Sequence, residues 1–249
     1  MFTEKLLKDI EVSDGFKING SLLSKDGNNS IIISCHGLGG TQDNYMNLKI
    51  RDYIIENNLN FDNFRFNFYK QSDNYRSFLN TTIASQVRDL EQLIDFFSVK
   101  YENIYLVGAS YGGLTCAVLN SQKVTKQALI DPSFVIDVAW AQANTVRLID
   151  FEKNVFTASF DKHLPMLIND KMKNEGLTWT PLKSQEYIKR ISLPTLIMQA
   201  NSPYYQLSKS LDYNNQFIKT VYVDEADHSF TSLSAMNTML KEVFEHFKA

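Results

Sequence analysis

Ser110 stands in the run Gly108-Ala109-Ser110-Tyr111-Gly112-Gly113, directly after the apolar stretch Ile104-Tyr105-Leu106-Val107 and before helix-forming residues from Leu114 to Asn120. A serine at a sharp strand-to-helix turn is forced into a strained backbone, and glycines two residues before and after it remove the side chains that would collide there. The hydroxyl is thereby thrust outward, and the helix N-terminus behind it favours developing negative charge. Such a hydroxyl can attack a carbonyl carbon. The bare pattern also fits a glycine-rich turn that merely starts a helix, and it is the strand before and the helix after that give it weight.

Attack on a carbonyl needs a base for the serine proton and fixed donors for the oxygen that becomes negative. The base is expected in Thr220-Val221-Tyr222-Val223-Asp224-Glu225-Ala226-Asp227-His228-Ser229-Phe230, an apolar run ending in an acidic loop. Of the four histidines, His228 alone lies late in the chain at the C-terminal edge of a strand, the edge where reactive groups of parallel sheets collect. Asp224, Glu225 and Asp227 beside it could suggest a metal, but no second histidine sits at ligand spacing, and a solvated acidic turn explains them. His163 could touch a substrate, or be a surface residue. The donors are expected from Ile31-Ile32-Ile33-Ser34-Cys35-His36-Gly37-Leu38-Gly39-Gly40, a strand running into a glycine-rich loop. The N–H of Leu38 and that of Tyr111, the residue after the serine, are assigned to the oxyanion. The loop lacks both G-x-G-x-x-G and a Walker lysine, which weakens a phosphate-binding reading. His36 reads as a brace for the loop rather than a second base.

Short apolar runs alternating with helical periodicity predict a mainly parallel sheet covered by helices. The strands are expected at Ile10–Ser13, Phe16–Leu23, Ser30–Cys35, Phe64–Phe68, Ile104–Val107, Gln127–Ile130, Thr195–Gln199 and Thr220–Val223. Asp14-Gly15, a pair that readily adopts positive φ angles, turns the first into the second. Ile83, Val87, Leu90, Ile94 and Phe97 mark a helix behind Asn80 or Thr81 as N-cap, and Leu233, Met236, Leu240, Val243 and Phe247 mark a last one. Residues 132–190 join two strands by more chain than a crossover requires. With Phe134, Trp140, Phe151, Phe156, Phe160 and Trp179 between prolines, this segment is expected to be an inserted helical cap on a single domain spanning residues 1–249.

Apolar residues at 44% and aromatics at 12% suffice to bury both faces of a sheet. A net charge of -3 without a basic stripe argues against nucleic acid as a partner. Two cysteines without metal or redox spacing read as buried thiols. The absence of a signal-like start and of any run of about 20 apolar residues leads to the expectation of a cytoplasmic protein without a membrane span.

With the loop, the serine and the histidine in this order, the chain resembles the α/β-hydrolase superfamily over nearly its full length. It looks closest to small capped esterases and lipase-like hydrolases, including feruloyl-esterase and monoacylglycerol-lipase relatives. His36-Gly37 matches their oxyanion loop and Ala226-Asp227-His228-Ser229-Phe230 their histidine loop. The resemblance implies an α/β-hydrolase fold, a lid formed by residues 132–190, and acyl-ester hydrolysis through an acyl-enzyme without cofactor or metal. Thioester, amide or carbon–carbon cleavage, or a non-catalytic binding role, are the alternatives. Two departures stand out. Tyr69-Lys70-Gln71-Ser72-Asp73 lacks the glycines relatives carry after the fourth strand. Gln199-Ala200-Asn201-Ser202-Pro203 lacks the acid they carry after the seventh. Some relatives place that acid after the sixth strand, where Asp131 stands, so Asp131 is either the acid or a structural residue at the mouth of the cap. The oligomeric state is left open.

Overall fold

The computed structural model describes residues 1–142, 144–150, 155–159 and 166–248. In chain order the elements before the insertion are β1 (Phe2–Glu11), β2 (Lys17–Lys25), β3 (Ser30–Cys35), α1 (Tyr45–Glu56), β4 (Asp62–Phe66), α2 (Ile83–Ser98), β5 (Asn103–Ala109), α3 (Tyr111–Leu119) and β6 (Lys126–Ile130). The insertion carries α4 (Asp137–Gln142), β7 (Asn144–Asp150), β8 (Val155–Ser159), β9 (Met166–Asn169), α5 (Asp170–Leu177) and α6 (Pro181–Arg190). After it come β10 (Thr195–Ala200), α7 (Pro203–Ser208), β11 (Ile218–Val223) and α8 (Leu233–Lys248). Eight strands form one sheet in the order β1-β2-β4-β3-β5-β6-β10-β11, parallel from β4 onward, with β1 and β2 antiparallel.

The period-two geometry of the strands divides the apolar residues between two cores. Ile31, Ile33, Leu106, Leu129 and Ile197 pack with α2 and α3 on one face. Ile32, Val107, Ile130, Leu196 and Met198 pack with α1 and α8 on the other. Both faces being covered, the central strands are predominantly apolar, with buried polar side chains at Ser34, Asp62, Asn63, Arg65 and Gln127 among them. Cys35 and Cys116 are buried free thiols.

Several boundaries differ from the sequence reading, each for a visible reason. Asp14 and Gly15 do take positive φ (60° and 75°), but β1 begins at Phe2. It is an edge strand with mostly exposed side chains, so no hydrophobic alternation announces it. β4 starts two residues before Phe64: Asp62 and Asn63 are buried, Asp62 accepting from Lys25 N–H and Asn28, and the Asn63 amide N–H donating to the Ile32 carbonyl and Ser34 Oγ. β4 also ends at Phe66, since the N–H of Phe68 donates to a side chain, His36 Nε2, at 3.1 Å. The N-cap of α2 is Thr82, in a reciprocal capping box with Ser85, rather than Asn80 or Thr81. The inserted segment is mixed: alongside its helices it carries the antiparallel sheet β7-β8-β9. Phe151, Phe160 and His163 lie outside the described residues.

Candidate functional site

The turn from β5 to α3 is made by close backbone packing. A Cβ on Gly108 would lie 2.6 Å from the Gly112 carbonyl oxygen, and one on Gly112 would lie 2.5 Å from the carbonyl oxygens of both Cys35 and His36. Neither position accepts a larger residue, so α3 starts hard against the end of β3. Ser110 between them holds φ 53° and ψ -118°, a conformation that costs on the order of 1–3 kcal/mol in a non-glycine residue. Burial of Tyr111 and Leu114 in the surrounding core holds it there.

His228 is fixed by its neighbour Asp227, whose carboxylate accepts the N–H groups of Ser229 and Thr231 and the Thr231 hydroxyl. Burial alone would raise the Asp227 carboxyl, but these hydrogen bonds outweigh it and hold it below the usual carboxylate range. The Tyr204 ring lies across the imidazole, with centroids 4.2 Å apart. His228 Nε2 is 2.9 Å from Ser110 Oγ, and Nδ1 is 2.5 Å from Asp131 Oδ2. Asp131 is 2% exposed and itself has a positive φ of 40°. Its Oδ1 accepts the Ala200 N–H at 3.2 Å and its Oδ2 accepts the Ser202 hydroxyl at 2.6 Å.

Of the five residues singled out in the sequence, the structure brings Ser110, His228 and Asp131 into one hydrogen-bonded line at the C-terminal edge of β5, β6 and β11. Leu38 and Tyr111 flank it. Gly37 presses on Ser110, a Cβ there falling 3.0 Å from the serine Cβ, and Leu38 lines the cleft beside it. The N–H of Tyr111, first in α3, has no intrahelical partner. Gly37, Leu38, Ser110, His228, Tyr45 and Met46 line an open cleft of about 260 Å³. His36 is fully buried and braces the loop, with Nδ1 donating to the Gly37 carbonyl at 2.8 Å while Nε2 accepts the Phe68 N–H. Burial, opposed only by the Gly37 contact, lowers its pKa to about 4, so it is neutral.

Two neighbours escaped the sequence reading: Ser133 and Tyr204. Ser133 follows Asp131 by two residues, and the turn at Pro132 returns it to Ser110. Ser202 sits where the seventh-strand acid was missed. The available signal was position, since residues just beyond β6 and β10 share the sheet edge with the serine. Among the described residues no group of three or more His, Cys, Asp or Glu side chains could hold a metal ion. None of the described helices is long and apolar enough to cross a membrane.

The sheet order, the elbow and the inserted segment define an α/β-hydrolase fold. Solved structures share it over nearly their whole length. Est1E from Butyrivibrio proteoclasticus, in a structure with ferulic acid bound, superposes with a TM-score of 0.75 at 15% identity, covering 98% of this chain and 100% of its own. The α/β hydrolase GrgF from Penicillium sp. sh18 gives 0.77 at 11% identity, covering 99% and 98%. An esterase from Pyrococcus furiosus gives 0.70 at 16%, covering 99% and 91%. None of the curated proteins matches the sequence. Residues 65–245 match the family described as Uncharacterised protein family (UPF0227), and the chain belongs to that family.

Proposed function

We propose that this protein is a serine hydrolase that cleaves carboxylic esters through an acyl-enzyme. The observation that carries the reading is the line from Ser110 Oγ through both nitrogens of His228 to the buried Asp131, at 2.9 and 2.5 Å. Ser110 Oγ bonds to the carbonyl carbon while its proton passes to His228 Nε2. The carbonyl oxygen takes up the charge between the N–H groups of Leu38 and Tyr111. The carbon–oxygen bond to the alcohol then breaks and the alcohol leaves with the proton. Water, deprotonated by the same nitrogen, attacks the acyl carbon and returns Ser110 to its hydroxyl form. Asp131 holds Nδ1–H and supports the imidazolium that forms in each half.

Esters are favoured over other acyl compounds by the names of the similar structures, two of which are esterases or bind ferulic acid. The inserted segment is read as a lid: Met166 at the start of β9 abuts Gly39 of the proposed oxyanion loop, its sulfur 3.2 Å from where a Gly39 Cβ would be.

A fluorophosphonate probe should label Ser110 and no other residue, and Ser110→Ala should lose both labelling and nitrophenyl-ester hydrolysis. His228→Ala should cost as much as Ser110→Ala, because nucleophile and base act as one unit. Full ester turnover in Ser110→Ala would sink the proposal.

A further inference from the structure

Ser133 has no part in the reaction just described, yet it touches the reacting atom. Its Oγ is 3.0 Å from Ser110 Oγ, its N–H donates to the Ser110 carbonyl at 3.1 Å, and it is 3% exposed. We propose that Ser133 is a hydrogen-bond donor to the nucleophile, holding Ser110 Oγ in its attacking position and supporting negative charge on it as its proton leaves. The proposal rests on the serine-hydrolase reading above.

The direction of that bond follows from counting hydrogens along the line. Ser202 Oγ accepts the Tyr205 N–H at 3.1 Å as the N-cap of α7, so its single hydrogen is directed at Asp131 Oδ2. Oδ1 already accepts a main-chain N–H, that of Ala200. A buried carboxylate met by donors on both oxygens takes the third contact, His228 Nδ1, as an N–H as well. Nε2 then presents a lone pair, and Ser110 must spend its only hydrogen there. The 3.0 Å contact between the serines is left with one hydrogen to fill it, that of Ser133. Ser110 Oγ still keeps a lone pair for attack.

The bond acts in both halves of the reaction. In acylation, Ser110 Oγ gives its proton to His228 and bonds to the acyl carbon. In deacylation, water bonds to that carbon, the bond from carbon to Oγ breaks, and Oγ recovers a proton from His228. Each time Oγ passes through partial negative charge, and a hydroxyl already aimed at it needs no reorganisation. The hydroxyl of a merely structural Ser133 would instead contribute only to packing.

Ser133→Ala keeps the main-chain bond to Ser110 and removes the donor alone; Ser133→Thr keeps a hydroxyl. Fluorophosphonate labelling is followed for rate and for final labelled fraction, with the thermal midpoint recorded beside it. A neutral hydrogen bond corresponds to a factor of about five to ten, so Ser133→Ala should label about five- to tenfold more slowly, yet to completion, and Ser133→Thr should recover the faster rate. Equal rates for the Ala and Thr variants, fast or slow, would overturn the proposal. So would a slower Ala variant whose final labelled fraction falls in step, since that reports lost fold. If the unaltered protein is not labelled at all, the serine-hydrolase reading fails first and takes this one with it.

Discussion

Asp131 reaches His228 from a backbone that few aspartates adopt. Its N–H extends the ladder to Met198, and then a φ of 40° swings the carboxylate into the histidine loop. The β10 end answers with donors in place of an acid: Ala200 N–H and the Ser202 hydroxyl. The seventh-strand position thus supports a carboxylate carried by its neighbour strand. Asp131→Asn should lower kcat by on the order of 10³ to 10⁴ with the fold retained, by analogy with the triad aspartate of serine proteases; unaltered turnover would reduce Asp131 to a structural residue. Ser202 separates charge from shape. Asn and Asp both cap helices as serine does, so each preserves α7, but Ser202→Asp sets a second carboxylate against Asp131. It should depress ester turnover at neutral pH well below that of Ser202→Asn, and equal rates would contradict the arrangement. In the sequence the serine, the histidine and the loop were legible because each is a local pattern. Asp131 was open to two readings, and Ser133 unseen, because their meaning lies in which strands are neighbours, and no local pattern states that.

At the scale of elements, His36 ties the end of β3 to the end of β4 through its two ring nitrogens, one donating to Gly37 and one accepting from Phe68. Only the neutral ring can do both. Its pKa falls from the ordinary 6.5 to about 4 in the fold, so between those values the unfolded chain binds a proton that the native protein does not. Stability from this residue is therefore complete above about pH 6.5 and is lost as pH falls toward 4, by on the order of 3 kcal/mol in all. Urea midpoints for the unaltered protein and for His36→Gln should converge on acidification from pH 7 to pH 4, as the variant lacks the titration. Parallel profiles would show that His36 bears no such load. Elements with strong periodicity, such as α2, α8 and the central strands, could be read directly. Others could not: β1 is a polar edge, and α1 buries a narrow apolar stripe of Met46, Ile50 and Ile54, together with the polar Asn47, while exposing Ile55. Buried polar residues, Asp62 and Asn63, hide the true start of β4.

For the whole molecule the question is whether the inserted segment is a separate lobe or part of one cooperative core. Trp140, Ile168, Met172, Trp179 and Ile188 belong to the same buried cluster as Ile33, Leu106 and the α2 residues. Polar ties run the same way, with the Glu175 carboxylate accepting the first N–H groups of α2, from Ile83 and Ala84, and Asn169 donating to the Leu79 carbonyl. Unfolding a segment built this way would uncover the apolar residues it shares with the core. Gly176 tests it, because it lies flat on Trp140, and a Cβ there would come within 2.7 Å of the indole. Overfilling such a contact costs about 1–3 kcal/mol. Gly176→Ala should lower the thermal midpoint by several degrees, on the order of 2–4 °C per kcal/mol for a chain of this size. Tryptophan fluorescence reports the insertion, where both tryptophans lie, and far-ultraviolet dichroism reports the sheet and its helices; the two signals should fall together. An earlier loss of fluorescence, with the dichroism transition unmoved, would mean that the segment melts by itself and that its packing on the core stabilises little beyond the segment.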